Sequence, residues 1–171
     1  MSEKTPTLSV ENLQTQFFTK AGIVDAVNDV SFSVDRGQVL GLVGESGSGK
    51  SMTGRAILRL IRKPGVVEAG HINLHDTNLL DLSERDMRKV RGEKISMVMQ
   101  DPKFSLNPVV TVGDQIIEAY RLHAKASRVE ARMKAIEMLE AVSIRDPERV
   151  MKAYPHEMSG GQKQRVNIAR A

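Results

Sequence analysis

The 171-residue sequence contains no cysteine and no tryptophan. Without a thiol, this chain can hold no disulfide, no thiolate nucleophile and no zinc–thiolate or iron–sulfur site. Aromatic residues make up only 4%, which is too few to line a base-stacking surface. No apolar run approaches bilayer length, and the opening MSEKTPTLSV lacks the apolar core of a signal peptide. The expected location is therefore the cytosol. A charge excess of one sign is also nearly missing: 25 basic residues face 21 acidic ones, for a net charge of +4. Because the two signs are interspersed, a mixed solvated surface is expected, with no nucleic acid as partner. A hydrophobic share of 40% and a charged share of 27% fit one globular domain with its own core.

The first part of the chain reads as strands. Residues 8–18 and 26–34 are rich in β-formers, Val30, Phe32 and Val34 alternate onto one face, and Lys20-Ala21-Gly22 offers a turn between the two segments. Gln38–Gly44 is a short continuous apolar run, the pattern of a strand buried on both faces, and Ile95–Met99 reads the same way. Residues 52–62 predict a helix with Ile57, Leu58 and Ile61 on one side, stopped by Lys63-Pro64-Gly65. His71–Leu74 is a short strand candidate, and Ser83 with Asp86 caps a helix running to Arg91.

After Thr111 the period becomes helical. Ile116, Ile117 and Tyr120 mark one helix; Val129, Met133, Ile136, Leu139 and Val142 mark another, which starts at a Ser127-x-x-Glu130 capping box. Of the nine methionines, Met97, Met99, Met133 and Met138 fall in apolar segments and are expected to fill the core. His71, His75, His123 and His156 have no companion ligands in the sequence and are read as structural or surface residues.

Two motifs carry chemistry. GESGSGKS, Gly44 to Ser51, matches G-x-x-x-x-G-K-[ST] between a predicted strand and a predicted helix. Gly44, Gly47 and Gly49 allow backbone turns closed to other residues, so the amides of Glu45, Ser46, Ser48 and the helix start through Met52 can face a polyphosphate. Lys50 supplies a full positive charge for the β- and γ-phosphates, and Ser51 a hydroxyl for a magnesium ion. Bound nucleoside triphosphate is expected, yet the motif alone does not separate kinases, GTPases and transport ATPases. The second motif, Ser159-Gly160-Gly161-Gln162, has a hydroxyl, two unhindered amides and a helix start, and holds no acid, base or metal ligand. It is built to grip rather than to cut.

MSGGQKQRVNIARA resembles the signature of ABC-type ATPases, with Met158 in place of the usual leading Leu, and MQDPKFSLNP with Gln100 is similar to their Q-loop. QDPKFSLNP, YPHEMSGGQ and GLVGESGSGKS are closest in character to the ATP-binding subunits of dipeptide, oligopeptide and nickel importers. The resemblance implies an α/β fold of the P-loop NTPase, ABC ATPase type, made of an N-terminal antiparallel β part, P-loop core strands and a helical subdomain. It places the β-rich and P-loop part in 1–100, the helical part in 101–160 and a helix returning to the core in 161–171. It implies ATP and Mg2+ as cofactors, with Ser51 and Gln100 at the metal and an aromatic residue stacked on adenine, Phe17 first and Phe18 second. Two such ATPases would pack head to tail, so that Ser159, Gly160, Gly161 and Gln162 hold the nucleotide of the second subunit. Permease subunits, and indirectly a solute-binding protein, would be partners at the cytoplasmic face of a bacterial plasma membrane.

Family members continue beyond the signature helix to an apolar strand ending in Asp-Glu and then to a loop histidine, and none of these is in the sequence. The expectation is a partial nucleotide-binding subunit that does not turn over ATP by itself. A soluble ABC-type mechanoenzyme on nucleic acid or ribosomes, and a non-catalytic nucleotide-binding fragment, are the alternatives.

Overall fold

A computed structural model of the chain describes residues 5–68, 70–100 and 105–171. Two compact units result, divided between Arg91 and Gly92. The first is organised by a long hairpin. Strand β1 (Leu8–Thr19) pairs antiparallel with β2 (Gly22–Val34), in register from Leu8 opposite Val34 to Thr19 opposite Gly22. The turn falls on Lys20-Ala21, as expected, and Gly22 leaves it at a φ of 126° that a side chain rarely adopts. The register slips between Val10 and Leu13, where Asn12 and Asp29 take φ values of 48° and 51° and their side chains bond at 2.8 Å.

Strand β1 also pairs with β3 (Gly65–Val67) and β4 (His71–Leu74), and β5 (Thr77–Asn78) adds to β4. Every pairing is antiparallel, in the order β2-β1-β4-β5 with β3 on β1. Val10, Leu13, Val27, Ile72, Leu74 and Leu79 are buried in this unit, each contributing about 1.5–3 kcal/mol of transfer free energy.

Two expected strands did not form. Gln38–Gly44 is irregular, with Val39 and Val43 each 94% exposed. Ile95 makes one isolated bridge and residues 96–99 none, leaving Val98 and Met99 exposed. An apolar run of this kind becomes a buried strand only between parallel neighbours, and neither segment has a place in the described sheet.

Helix α1 (Lys50–Ile57) also ends sooner than the expected Arg62. Its last carbonyls are taken by the backbone that follows, the Leu60 N–H donating to the Arg55 oxygen at 2.8 Å and the Arg59 N–H to the Ala56 oxygen at 2.9 Å. Just past the helix, Arg91 donates to the Leu58 and Arg59 oxygens at 2.7 and 3.2 Å. Arg59, at φ 53°, sends its own guanidinium to the Leu79 and Leu82 oxygens. Left-handed Arg59 ends the helix before Lys63-Pro64-Gly65 is reached, and the two arginines clasp the turn that follows. Helix α2 (Glu84–Glu93) begins at the expected Ser83 cap, and Arg91 within it pairs with Glu84, whose carboxyl is held below its usual value by that bond.

The second unit is helical: α3 (Val112–His123), α4 (Arg128–Ala141), α5 (Pro147–Lys152), a 3-10 turn over Pro155–Glu157, and α6 (Gly160–Arg170). Leu106, Val112, Ile116, Leu139, Ile144, Val150, Met158 and Val166 are among its buried core. Helix α4 starts at the expected Ser127–Glu130 capping box, and its expected Ile136, Leu139 and Val142 lie in or against the core, but its first half turns a different face inward. Ala131, Ala135 and Leu139 are 0% exposed, whereas Val129 and Met133 are 69% and 58% exposed. Alanines let α3 and α6 approach closely, and that close packing outweighs the larger apolar area at the other stripe. Met133 is therefore exposed rather than core-filling, as is Met99 in the irregular 96–99 segment, while Met97 is half-buried and Met138 packs on the core.

Candidate nucleotide-binding site

The phosphate-loop candidate is continuous with α1. The Ser48 N–H donates to the Glu45 oxygen at 3.2 Å, closing a turn, and Gly47 and Gly49 take φ values of 87° and 89°. Gly49 admits no side chain on a second count: a Cβ would lie 2.4 Å from the Ala26 oxygen of β2. The Lys50 ammonium curls back over the loop, donating to the Gly44 oxygen at 2.7 Å, the Glu45 oxygen at 2.6 Å and Ser48 Oγ at 3.3 Å. Ser46 and Ser51 are exposed and Met52 is half-buried.

The start of α1 differs from the other helix starts. Ser83, Thr111, Ser127, Asp146 and Ser159 each accept a first-turn amide of α2, α3, α4, α5 and α6. Gly49 caps α1 with no side chain, and no acidic residue stands in its first turn. The amides there keep their unmet hydrogen-bonding capacity and partial positive charge, next to Lys50. That combination fits a polyphosphate. Among the described residues no group of three or more His, Asp or Glu could hold a metal, so a magnesium ion would need phosphate oxygens as ligands beside Ser51.

Phe17 and Phe18 are adjacent on β1 and point to opposite faces. The Phe17 ring is half-buried over Gly65, where a Cβ would lie 2.6 Å from its Cε1; Phe18 is 45% exposed opposite Ile23. These residues and the phosphate loop belong to the first unit.

Gln100 and the signature belong to the second. Gln100 is exposed, and the Asp101–Phe104 portion of the Q-loop motif lies outside the described residues. At the signature, Ser159 Oγ accepts the Gln162 N–H at 3.3 Å and Gln162 Oε1 accepts the Ser159 N–H at 3.0 Å. Gly160 and Gly161 are exposed, with open space where a Cβ would sit. Just before them the Tyr154 and His156 rings stack at 5.7 Å. Sequence reasoning passed over Gln115, a buried amide between the apolar positions of α3 that bonds the loop of residues 107–110. Its signal was a polar residue beside Ile116 and Ile117, on an otherwise apolar stripe.

The family model described as ABC transporter matches residues 27–171. The chain belongs to the ABC transporter family. Its relatives include a probable peptide ABC transporter ATP-binding protein of Sinorhizobium fredii, 51% identical over 96% of this chain and 49% of the relative. The oligopeptide transport ATP-binding protein OppD of Bacillus subtilis is 46% identical over 100% of this chain and 48% of its own. The chain thus spans about half the length of the curated relatives it matches. Among solved structures, the ABC cassette MJ0796, a dimer bound to ADP and Pi, matches with a TM-score of 0.82 at 27% identity, over 95% of this chain and 68% of that one. The α/β architecture expected from the two motifs is therefore that of an ABC ATPase, with the antiparallel β part and the helical part formed.

Proposed function

We propose that this chain is the nucleotide-binding part of an importer subunit that couples ATP binding and hydrolysis to the uptake of peptides. The observation that carries the reading is the uncapped start of α1, with Lys50 folded over it. A triphosphate would draw the Lys50 ammonium from the loop carbonyls onto the β- and γ-phosphates, and the amides of Gly47 to Ser51 would close around it. Magnesium, when bound, would neutralise phosphate charge, with Ser51 and Gln100 as the ligands this chain offers. Phe17, or Phe18 on the opposite face of β1, would cover the base.

Ser159 to Gln162 would act on the nucleotide of a second copy or a sister subunit. The capping box occupies one lone pair of the Ser159 hydroxyl and leaves its proton to donate, and the Gly160 and Gly161 amides lie open beside it. Support for the pairing comes from the dimeric MJ0796 cassette and from the names of the peptide-importer relatives. No described helix is long and apolar enough to cross a membrane; permease subunits are the partners proposed at the membrane.

The deciding experiment uses two substitutions and one titration each. Lys50→Ala in the full-length subunit should weaken ATP binding about a hundredfold by calorimetry, and unchanged affinity would refute the reading. Ser159→Arg should leave binding intact while ATP-dependent dimerisation, followed by light scattering, fails; a normal dimer there would remove the role in the second subunit.

A further inference from the structure

The first turn of α3 touches two parts of the second unit that the proposed function gives separate tasks. On one side is loop 105–110, which follows the Gln100 segment. Gln115 is 6% exposed, and its amide is committed to that loop. Its Oε1 accepts the Asn107 N–H at 2.9 Å, and its Nε2 donates to the Asn107 oxygen at 3.0 Å and the Val110 oxygen at 2.9 Å. Leu106, 4% exposed, is part of the apolar core of the same unit.

On the other side is the approach to Ser159. The Val112 N–H donates to the Ala153 oxygen at 2.9 Å. Gly113 lies so close to the end of α5 that a Cβ would be 2.6 Å from the Met151 oxygen and 2.8 Å from its Cε. From Ala153 the chain passes at once into the 3-10 turn, where the Glu157 carboxylate accepts the Tyr154 N–H at 2.6 Å. Ser159 follows two residues later.

We infer that the first turn of α3 is a rigid junction that joins the loop after Gln100 to the approach to Ser159, with Gln115 and Gly113 as its two positioning residues. Buried amides and carbonyls with full sets of partners resist rearrangement, because any loosened group would be left without water or a donor. A displacement delivered at the loop is then carried to Ser159 instead of being absorbed between them. The inference rests on the proposed function, which gives those two ends a shared nucleotide cycle.

Amide hydrogen exchange on the full-length subunit tests it. Gln115→Met keeps the side-chain volume and removes all three bonds. It should speed exchange at Asn107 and also at Gln162 about tenfold, while α4 amides keep wild-type rates and ATP affinity is unchanged. Gln115→Glu adds a check that loss of packing would not reproduce. At pH 8 its carboxylate would face two carbonyl oxygens and open the loop; at pH 5 the protonated acid regains a donor, and protection returns relative to wild type at the same pH. The charged groups around that cavity are Glu118 and Arg170, and the wild-type comparison removes their contribution.

Fast exchange at Asn107 with wild-type exchange at Gln162 would overturn the junction, as would no change at either. Where Gln115→Met fails to fold, the pH comparison on Gln115→Glu decides by the same two amides. Failure of wild-type protein to bind ATP would instead sink the functional reading and leave the exchange result standing.

Discussion

Helix α1 begins at Gly49 with no side chain on its first-turn amides, whereas α6 begins at Ser159 inside a closed capping box, although glycine and serine stand at both starts. The difference lies in where the hydroxyl stands. At α6 the serine occupies the capping position and satisfies Gln162. At α1 the capping position is a glycine in left-handed geometry, and Ser51 sits inside the helix, where it cannot cap. An open helix start beside a lysine can take a multiply charged ligand into its own unit. A closed one keeps only a hydroxyl proton and two glycine amides, enough to complete a site supplied mainly by a neighbour.

The largest expected effect follows from the open end. Lys50→Ala should weaken ATP binding by about 3 kcal/mol, roughly a hundredfold, measured by calorimetry, with the melting temperature of the free protein little changed. Gly49→Ala should instead cost stability, about 1–3 kcal/mol, since it combines positive φ with a backbone clash; a urea midpoint equal to wild type would show that the loop is not pinned to β2. Next, Ser159→Ala and Ser127→Ala should each cost about 1 kcal/mol of stability through the lost cap. Only Ser159→Ala should also impair ATP-dependent dimerisation, and equal behaviour of the two would erase the contrast between a cap with a second task and a cap alone.

The smallest effect concerns pH. The backbone amide and hydroxyl of Ser127 hold the Glu130 carboxyl below its usual value of 4.5. A lowered folded value means that this stabilisation is complete above the unfolded value and is lost as pH falls through the folded one. The protection of first-turn amides of α4, taken against the intrinsic exchange rate at the same pH, should therefore fall as pH drops below 4.5, and fall less in Glu130→Gln.

The hairpin, the caps of α2, α4 and α6, and both glycine motifs were legible because each is a property of a few consecutive residues. Gln38–Gly44 was not. Its apolar run states that it can be buried, but a parallel strand needs partners, and no described strand supplies them. The end of α1 was hidden for a related reason: Arg59 turns left-handed there, and the groups that hold that turn, Arg91 and the Leu79 and Leu82 oxygens, lie 20 or more positions away in sequence. In α4 the expected Ile136, Leu139 and Val142 do face the core, but the first half was misread because periodicity gave weight to Val129 and Met133 and none to Ala131 and Ala135, whose smallness is what allows neighbours in. Lys50 and Ser159 each stand at a helix start, as expected for a strand–loop–helix and a Ser-capped helix, whereas the choice between Phe17 and Phe18 depends on which face of β1 a base would approach.

The arginine clasp behind α1 has a consequence for signalling through the first unit. A helix pulled at its leading end by an anion can drift, tilt or unwind unless its trailing end is moored, and here the mooring runs through Arg59 and Arg91 to residues 79–84. Occupancy of the loop should therefore be felt as a tug on that distant stretch, making the backbone around Leu82 a remote reporter of a filled or empty cradle.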